Sequence, residues 1–298
     1  MSLGVLNNLS AVYAENNLSK TSRSLSNVLQ QLSSGSKINS GSDDAAGLSL
    51  VNGLQANQQA LSQSETNASE GIGLLQVADG ALSQVTSLLN RAVTLATEVS
   101  GGTLDTSQKN AANEEYQSIL DEVTNIGSTT TYNGNKVFTG TAVDIYTGDS
   151  TAQGASIDAL NISTLSSSSV GDQSGTMSYS NSGTATISYS ASSGQSLSGT
   201  DLTTQSNAET ALTDLNAAIS DVAAQDGYVG AQINTLNSIS SVMTTQQENI
   251  ESAQNSVQAT DYAAASSNMS KYEILSQTGI AALAQANSVQ QEVTKLLQ

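Results

Sequence analysis

The sequence predicts a mainly α protein: a long antiparallel helical coiled-coil bundle built from both chain ends, with a small β-rich insert in the middle. Three observations predict it. Leu54, Leu61, Ala68, Leu75, Leu82, Leu89 and Ala96 recur at intervals of seven, as do Leu215, Val222, Val229, Leu236, Met243, Ile250 and Val257. Such rows form the seam of a coiled coil. The 298 residues contain no Pro, which inside a helix costs about 3 kcal/mol. Between the rows, the stretch from about Thr139 to Thr204 changes to Ser, Thr and Gly with short alternating runs.

Taken in order, residues from about Val5 to Leu32 space Leu18, Leu25, Val28, Leu29 and Leu32 as one narrow apolar face of a helix. So polar a helix is marginal alone and wants a partner. The next stretch, LSSGSKINSGSDDAAGLSL, reads as a helix–turn–helix junction. Gly35 and Gly41 can adopt positive φ, and Ser42, Asp43 and Asp44 supply side-chain oxygens that accept the free N–H groups of the second helix. Ala45, Ala46 and Gly47 are small enough for close backbone approach.

The long helix follows. Ala78, Val85, Ala92 and Val99 add a second row to its seam, and Gly101–Gly102 ends it. A further helix is expected over about 107–126. Tyr132-Asn133-Gly134-Asn135-Lys136-Val137-Phe138 reads as a hairpin turning on Asn-Gly. Val143–Tyr146 reads as a short strand, and residues 177–189 as a second hairpin around Asn181-Ser182-Gly183. After 208 the second long helix resumes, its seam extended by Leu212, Ile219 and Ile233. A break near 259–261, with Thr260 and Asp261 as caps, leads to a last helix with Leu275, Gly279, Ala282, Ala286, Val289, Val293 and Leu296 in steps of four and three. The organisation expected is 1–44 with 260–298 as a terminal coiled coil, 45–140 with 205–259 as a helical rod, and 141–204 as a surface-exposed insert with a modest core.

Composition narrows the function. The formal charge is −18, from 26 acidic and 8 basic residues, and no Lys or Arg lies between Lys136 and Lys271. A basic patch for nucleic acid or anionic lipid is absent, and the acidic middle should face bulk solvent. With no His and no Cys, the usual general bases and nucleophiles are missing. Asp43–Asp44 and Glu114–Glu115 are adjacent pairs, and neighbours on a helix diverge by about 100°, so capping and solvation explain them better than catalysis. No enzyme, cofactor or metal site is expected. No stretch approaches 18 uninterrupted apolar residues, and MSLGVLNN lacks the basic and apolar blocks of a conventional secretory signal.

Both termini together resemble the bacterial flagellins, subunits of the flagellar filament. The N-terminal match is Leu32-Ser33-Ser34-Gly35, Lys37-Ile38-Asn39 and Asp43-Asp44-Ala45-Ala46-Gly47-Leu48. The C-terminal match is Asp261-Tyr262-Ala263, Ser267-Asn268-Met269-Ser270, Ile274-Leu275, Gly279, Leu283-Ala284-Gln285-Ala286-Asn287 and Leu296-Leu297-Gln298. Tyr132-Asn133-Gly134 with Lys136-Val137 resembles the family's hairpin. No match is claimed over the insert, where O-glycosylation is a family habit.

The resemblance implies a self-assembling, extracellular filament subunit for motility, exported unfolded through the flagellar type III apparatus. The partners implied are other copies of the chain, the filament cap, the hook-junction proteins and an export chaperone. It places self-assembly on Leu18, Leu25, Val28, Leu32, Met269, Leu275, Gly279, Leu283, Val289, Val293 and Leu296, with Gly35, Asp43, Asp44 and Gly47 as the junction between layers. Family members sensed by a Toll-like receptor carry Gln-Arg-x-Arg-Glu-Leu. Here the run is Asn90-Arg91-Ala92-Val93-Thr94-Leu95, which keeps only one Arg and the Leu, so Leu89, Arg91, Leu95 and Glu115 form the corresponding candidate surface. A hook–filament junction protein, or another helical protein secreted by a type III system, shares the helical ends and stays as the alternative.

Overall fold

A computed structural model describes residues 8–148, 157–172 and 194–296. Five helices dominate: α1 (Leu9–Ser34), α2 (Ala45–Ser100), α3 (Thr106–Thr129), α4 (Gln205–Gln258) and α5 (Tyr262–Leu296). Four short strands form two antiparallel pairs, β1 (Thr131–Tyr132) with β2 (Asn135–Lys136), and β3 (Val143–Tyr146) with β4 (Ile157–Leu160). The hairpin expected over 177–189 lies outside the described residues. The chain divides into two compact units, Met1–Gln55 with Asn249–Gln298, and Ala56–Glu248.

The core belongs to the second unit. On α2 the seven-spaced row from Leu61 to Ala96 is buried, and so is its companion Ala78, Val85, Ala92 and Val99. Ser64 and Gly71 complete that companion row, both buried. Gly71 has a reason to lack a side chain: a Cβ there would sit 3.3 Å from Ile145, Leu160 and Leu236 alike, so α2 meets β3, β4 and α4 at one point. On α4, Leu215, Val222, Val229, Leu236 and Met243 are buried as expected. The expected second row is corrected. Ala211, Ala218, Gln225 and Gln232 are the buried companions, whereas Leu212, Ile219 and Ile233 pack only partly buried against the core's flank. Close helix approach favours small side chains in the seam and pushes the larger ones outward.

By length and composition α2 is apolar enough to cross a membrane. Its apolar rows are instead spent on the core shared with α3 and α4. The start of α3 carries a capping box, in which Asp105 Oδ1 accepts the Gln108 N–H at 2.9 Å and the Gln108 side chain accepts the Asp105 N–H at 3.0 Å. Asn133 at φ 50° and Gly134 at φ 80° make the β1–β2 turn, the pair of positive angles for which Asn-Gly is preferred.

The described part of the 141–204 segment contributes its apolar residues to the helical core. Leu160, Ile162, Leu165, Val170, Leu197 and Leu202 are buried in the same core as the helices. One face of α3 holds them. Asn113 Oδ1 accepts the Leu202 N–H at 2.8 Å, Gln117 Nε2 donates to Thr200 O at 2.8 Å, and Thr124 Oγ1 accepts the Ser167 N–H at 3.0 Å. At Gly127 a Cβ would stand 1.9 Å from Leu165 O, a backbone atom. On α2, Ser64 Oγ donates to Gly148 O at 2.7 Å and Asn67 Nδ2 to Tyr146 O at 3.1 Å. These polar bonds, with the buried apolar side chains, hold the described residues of the segment against α2 and α3.

Candidate assembly surfaces

The first unit is built around the pairing of α1 with α5. Asn8 caps α1 by accepting the Ala11 N–H at 3.0 Å, and its amide nitrogen donates to Ala286 O at 2.9 Å. Gly279 lets the helices close: a Cβ there would come within 3.3 Å of Leu18 Cδ1. Around that contact lies a groove of about 210 Å³, lined by Ala14, Leu18, Leu275, Gly279 and Ala282 among others.

The expected seam residues separate into three groups. Val28 is buried, and Leu18, Leu25, Leu32, Met269, Gly279 and Leu283 are half-buried. Leu275 and Val289 remain 43% and 44% exposed. The side chains of Val293 and Leu296 lie outside the described residues. Sequence reasoning missed a second set, Leu9, Val12, Tyr13, Ile274 and Ile280, all about half or more exposed. They fall off the chosen row; a search for apolar residues outside the internal seam would have found them.

At the junction, Gly35 takes φ 70° and ends α1, its N–H donating to Gln31 O at 2.9 Å. Gly41 is not at positive φ, and the two aspartates divide the work assigned to both. Asp44 caps α2, its Oδ1 accepting the Gly47 N–H at 2.9 Å. Asp43 turns back and closes the loop, its Oδ2 accepting the N–H groups of Asn39 and Ser40 at 3.1 and 2.9 Å and the Ser40 hydroxyl at 3.0 Å. Those bonds, the one from Asn39 first, hold its carboxyl below the usual range. The Ser42 hydroxyl bonds only Ser40 Oγ, at 2.7 Å.

Gly47 is buried, and a Cβ on it would meet Asp44 Oδ2 at 2.5 Å and Ile38 Cδ1 at 2.7 Å. A side chain there would have to displace the Asp44 and Ile38 side chains of the same chain. The loop after α1 also joins the break before α5: Ser36 bridges Ala259, Lys37 N–H donates to Gln258 O at 2.8 Å, and Thr260 N–H donates to Gly35 O at 3.1 Å. Asp261 then caps α5, accepting the Ala263 and Ala264 N–H groups at 2.9 and 3.1 Å.

The candidate receptor face is half corrected. Leu89 and Leu95 are 0% and 3% exposed, members of the core and not of a surface. Leu89 sits on the buried seven-spaced row of α2, and Leu95 is buried beside Ala96 of that row. Arg91 and Glu115 are exposed and bonded across α2 and α3, Nε to Oε1 at 2.7 Å. That bond lowers the Glu115 carboxyl and raises the Arg91 guanidinium. Asn161-Ile162-Ser163, which has the pattern of an N-glycosylation site, is buried throughout.

No group of three or more potential metal-ligating side chains occurs among the described residues. What the chain presents is paired ends, capped breaks and exposed apolar side chains on two helices: the equipment of a structural assembly subunit. The family model for the bacterial flagellin N-terminal helical region matches residues 5–143, and that for the bacterial flagellin C-terminal helical region matches 212–297. The flagellin of Listeria monocytogenes is 32% identical over 298 residues, covering 97% of this chain and 98% of that one. The flagellin of Halalkalibacterium halodurans is 29% identical over 290 residues, covering 97% and 98% respectively. The crystal structure of Bacillus cereus flagellin, 24% identical, covers 63% of this chain and 94% of its own with a TM-score of 0.45. The chain belongs to the bacterial flagellin family. It is a structural subunit of the extracellular flagellar filament, a homopolymer, and not an enzyme.

Proposed function

We propose that residues 1–44 and 260–298 form the inner coiled-coil layer of the filament, that 45–140 and 205–259 form the rod around it, and that 141–204 faces outward. The observation that carries this reading is the distribution of exposed large apolar side chains. Leu9, Val12, Tyr13 and Leu29 on α1, and Tyr262, Ile274, Leu275, Ile280 and Val289 on α5, make up most of those among the described residues. Apolar surface gathered on two helices favours burial against another copy. Leu18, Gly279 and the buried Val28 close the α1–α5 pair, while the exposed residues meet neighbours. The contact pattern supports a terminal unit that also takes in 45–55 and 249–259.

The same reading carries the family's other partners: the cap at the growing end, the hook-junction proteins at the base, and an export chaperone holding the apolar terminal helices before assembly. Of the four candidate receptor residues, the exposed Arg91 and Glu115, bonded to each other, are the pair a Toll-like receptor would meet on this reading. Deleting 1–44 or 260–298 tests the proposal. Each truncated chain is expected to keep helical circular dichroism and cooperative melting of the second unit while failing to elongate seeded filaments. A folded truncation that still elongates would overturn it.

A further inference from the structure

Two glutamines stand in the buried companion row of α4, Gln225 and Gln232. Gln232 finds a partner within the chain, its Nε2 donating to the Tyr228 hydroxyl at 3.0 Å. Gln225 does not. It is 0% exposed, and neither Oε1 nor Nε2 of its amide meets a hydrogen-bond partner. The next residue adds a third such atom, since Asp226 Oδ1 is also closed off from solvent and unbonded. Position 225 lies deep inside α4, where the backbone N–H groups are committed to the helix ladder. Leu236 of α4 lies against Gly71 of α2. Counting equally from that contact along the antiparallel pair, the level of Gln225 corresponds to Leu82. The inward rows of α2 around it are Ala78, Leu82 and Val85, all fully buried and all hydrocarbon.

We propose that the Gln225 amide is a binding site for ordered water inside the α2–α4 seam, with Asp226 Oδ1 as a further anchor. An amide buried bare gives up its hydrogen bonds to bulk water and receives none in return. Water repairs that loss because it both donates and accepts. Internal waters make roughly two to four hydrogen bonds, and Gln225 Nε2 as donor with Gln225 Oε1 and Asp226 Oδ1 as acceptors supplies that many. A metal cation does not suit the place: it takes about six oxygen ligands, and no group of three or more potential ligands occurs among the described residues. An apolar guest would leave the amide bare. Val222 and Val229, one turn away on either side, are buried hydrocarbon, so the seam is wet at one level and dry above and below it.

Magnetisation transfer from water, measured by NMR on the full-length monomer, tests this. The Gln225 side-chain amide hydrogens are identified by their loss in Gln225→Leu. They should show cross peaks to water of opposite sign in the laboratory and rotating frames, the mark of a long-lived bound water and not of proton exchange. Tyr228→Phe should retain those peaks, which excludes relay through the nearby hydroxyl. A structure that resolves solvent asks the same question without a substitution, and should place a water oxygen within about 3 Å of Gln225 Nε2 or Oε1. Identified amide hydrogens without such cross peaks would overturn the proposal, as would their loss in a folded Tyr228→Phe. So would density in which a protein group or a cation stands where the water should be.

Discussion

Gly127→Ala is the sharpest probe of how the 157–172 segment is held. In the middle of a helix, Gly→Ala ordinarily gains about 1 kcal/mol, because alanine has less backbone freedom to lose. At position 127 the added methyl would stand 1.9 Å from Leu165 O and 2.8 Å from Leu165 C. Ordinary contact needs about 3.5 Å, so the backbone at 165 must retreat by more than 1 Å. It cannot do so alone, because Leu165 is buried in the main core and the Ser167 N–H is bonded to Thr124 one turn earlier on α3. Overpacking of this kind costs about 1–3 kcal/mol, which exceeds the helix gain. Set against the helix gain of about 1 kcal/mol, the expected net loss is up to about 2 kcal/mol in urea unfolding followed by circular dichroism. Gly80→Ala is the matched control, with nothing within 4 Å of its added Cβ; it should gain about 0.5–1 kcal/mol. If Gly127→Ala matched Gly80→Ala, the close approach of α3 to residue 165 would be refuted.

Two further outcomes are expected. Asp105→Ala removes half of the capping box and should cost about 1 kcal/mol, read as faster amide exchange over 106–109; unchanged exchange there would mean the box contributes nothing. The lowered Asp43 carboxyl stabilises the junction above about pH 4 and ceases to do so as pH falls through its lower folded value. The Asn39 and Ser40 amide shifts should therefore move together with a midpoint below about 4, and a midpoint at the ordinary value would show that the loop closure does not depend on Asp43.

The seven-spaced rows were legible because Leu and Val repeat where the helices meet. Ser64, Gly71, Gln225 and Gln232 occupy the same seam and were invisible to a search for apolar residues. Leu212, Ile219 and Ile233 attracted attention for the opposite reason, being large and apolar on a flank. Asn133-Gly134 announced its turn because few residue pairs accept two positive φ angles. β4 gave no such signal: Ile157–Leu160 has only two large apolar residues, and Leu160, paired with Val143 of β3, comes close to Gly71 of α2. The junction was legible as a capped break, whereas the division of labour between Asp43 and Asp44 depends on which way the loop turns. Burial of Leu89 follows directly from the heptad phase, whereas Leu95 lies off both rows of α2 and is buried by its local packing.

The clasp at Ser36–Ala259 joins positions more than 200 residues apart, and α1 finds α5 at similar separation. Contacts of such high contact order form late, since the loop-closure entropy must be met before any pairing repays it. In an unfolded chain, whichever end orders first has no mate and stays open. Quality control is thus written into topology: a chain cut short anywhere before α5 lacks the element that would close its first helix.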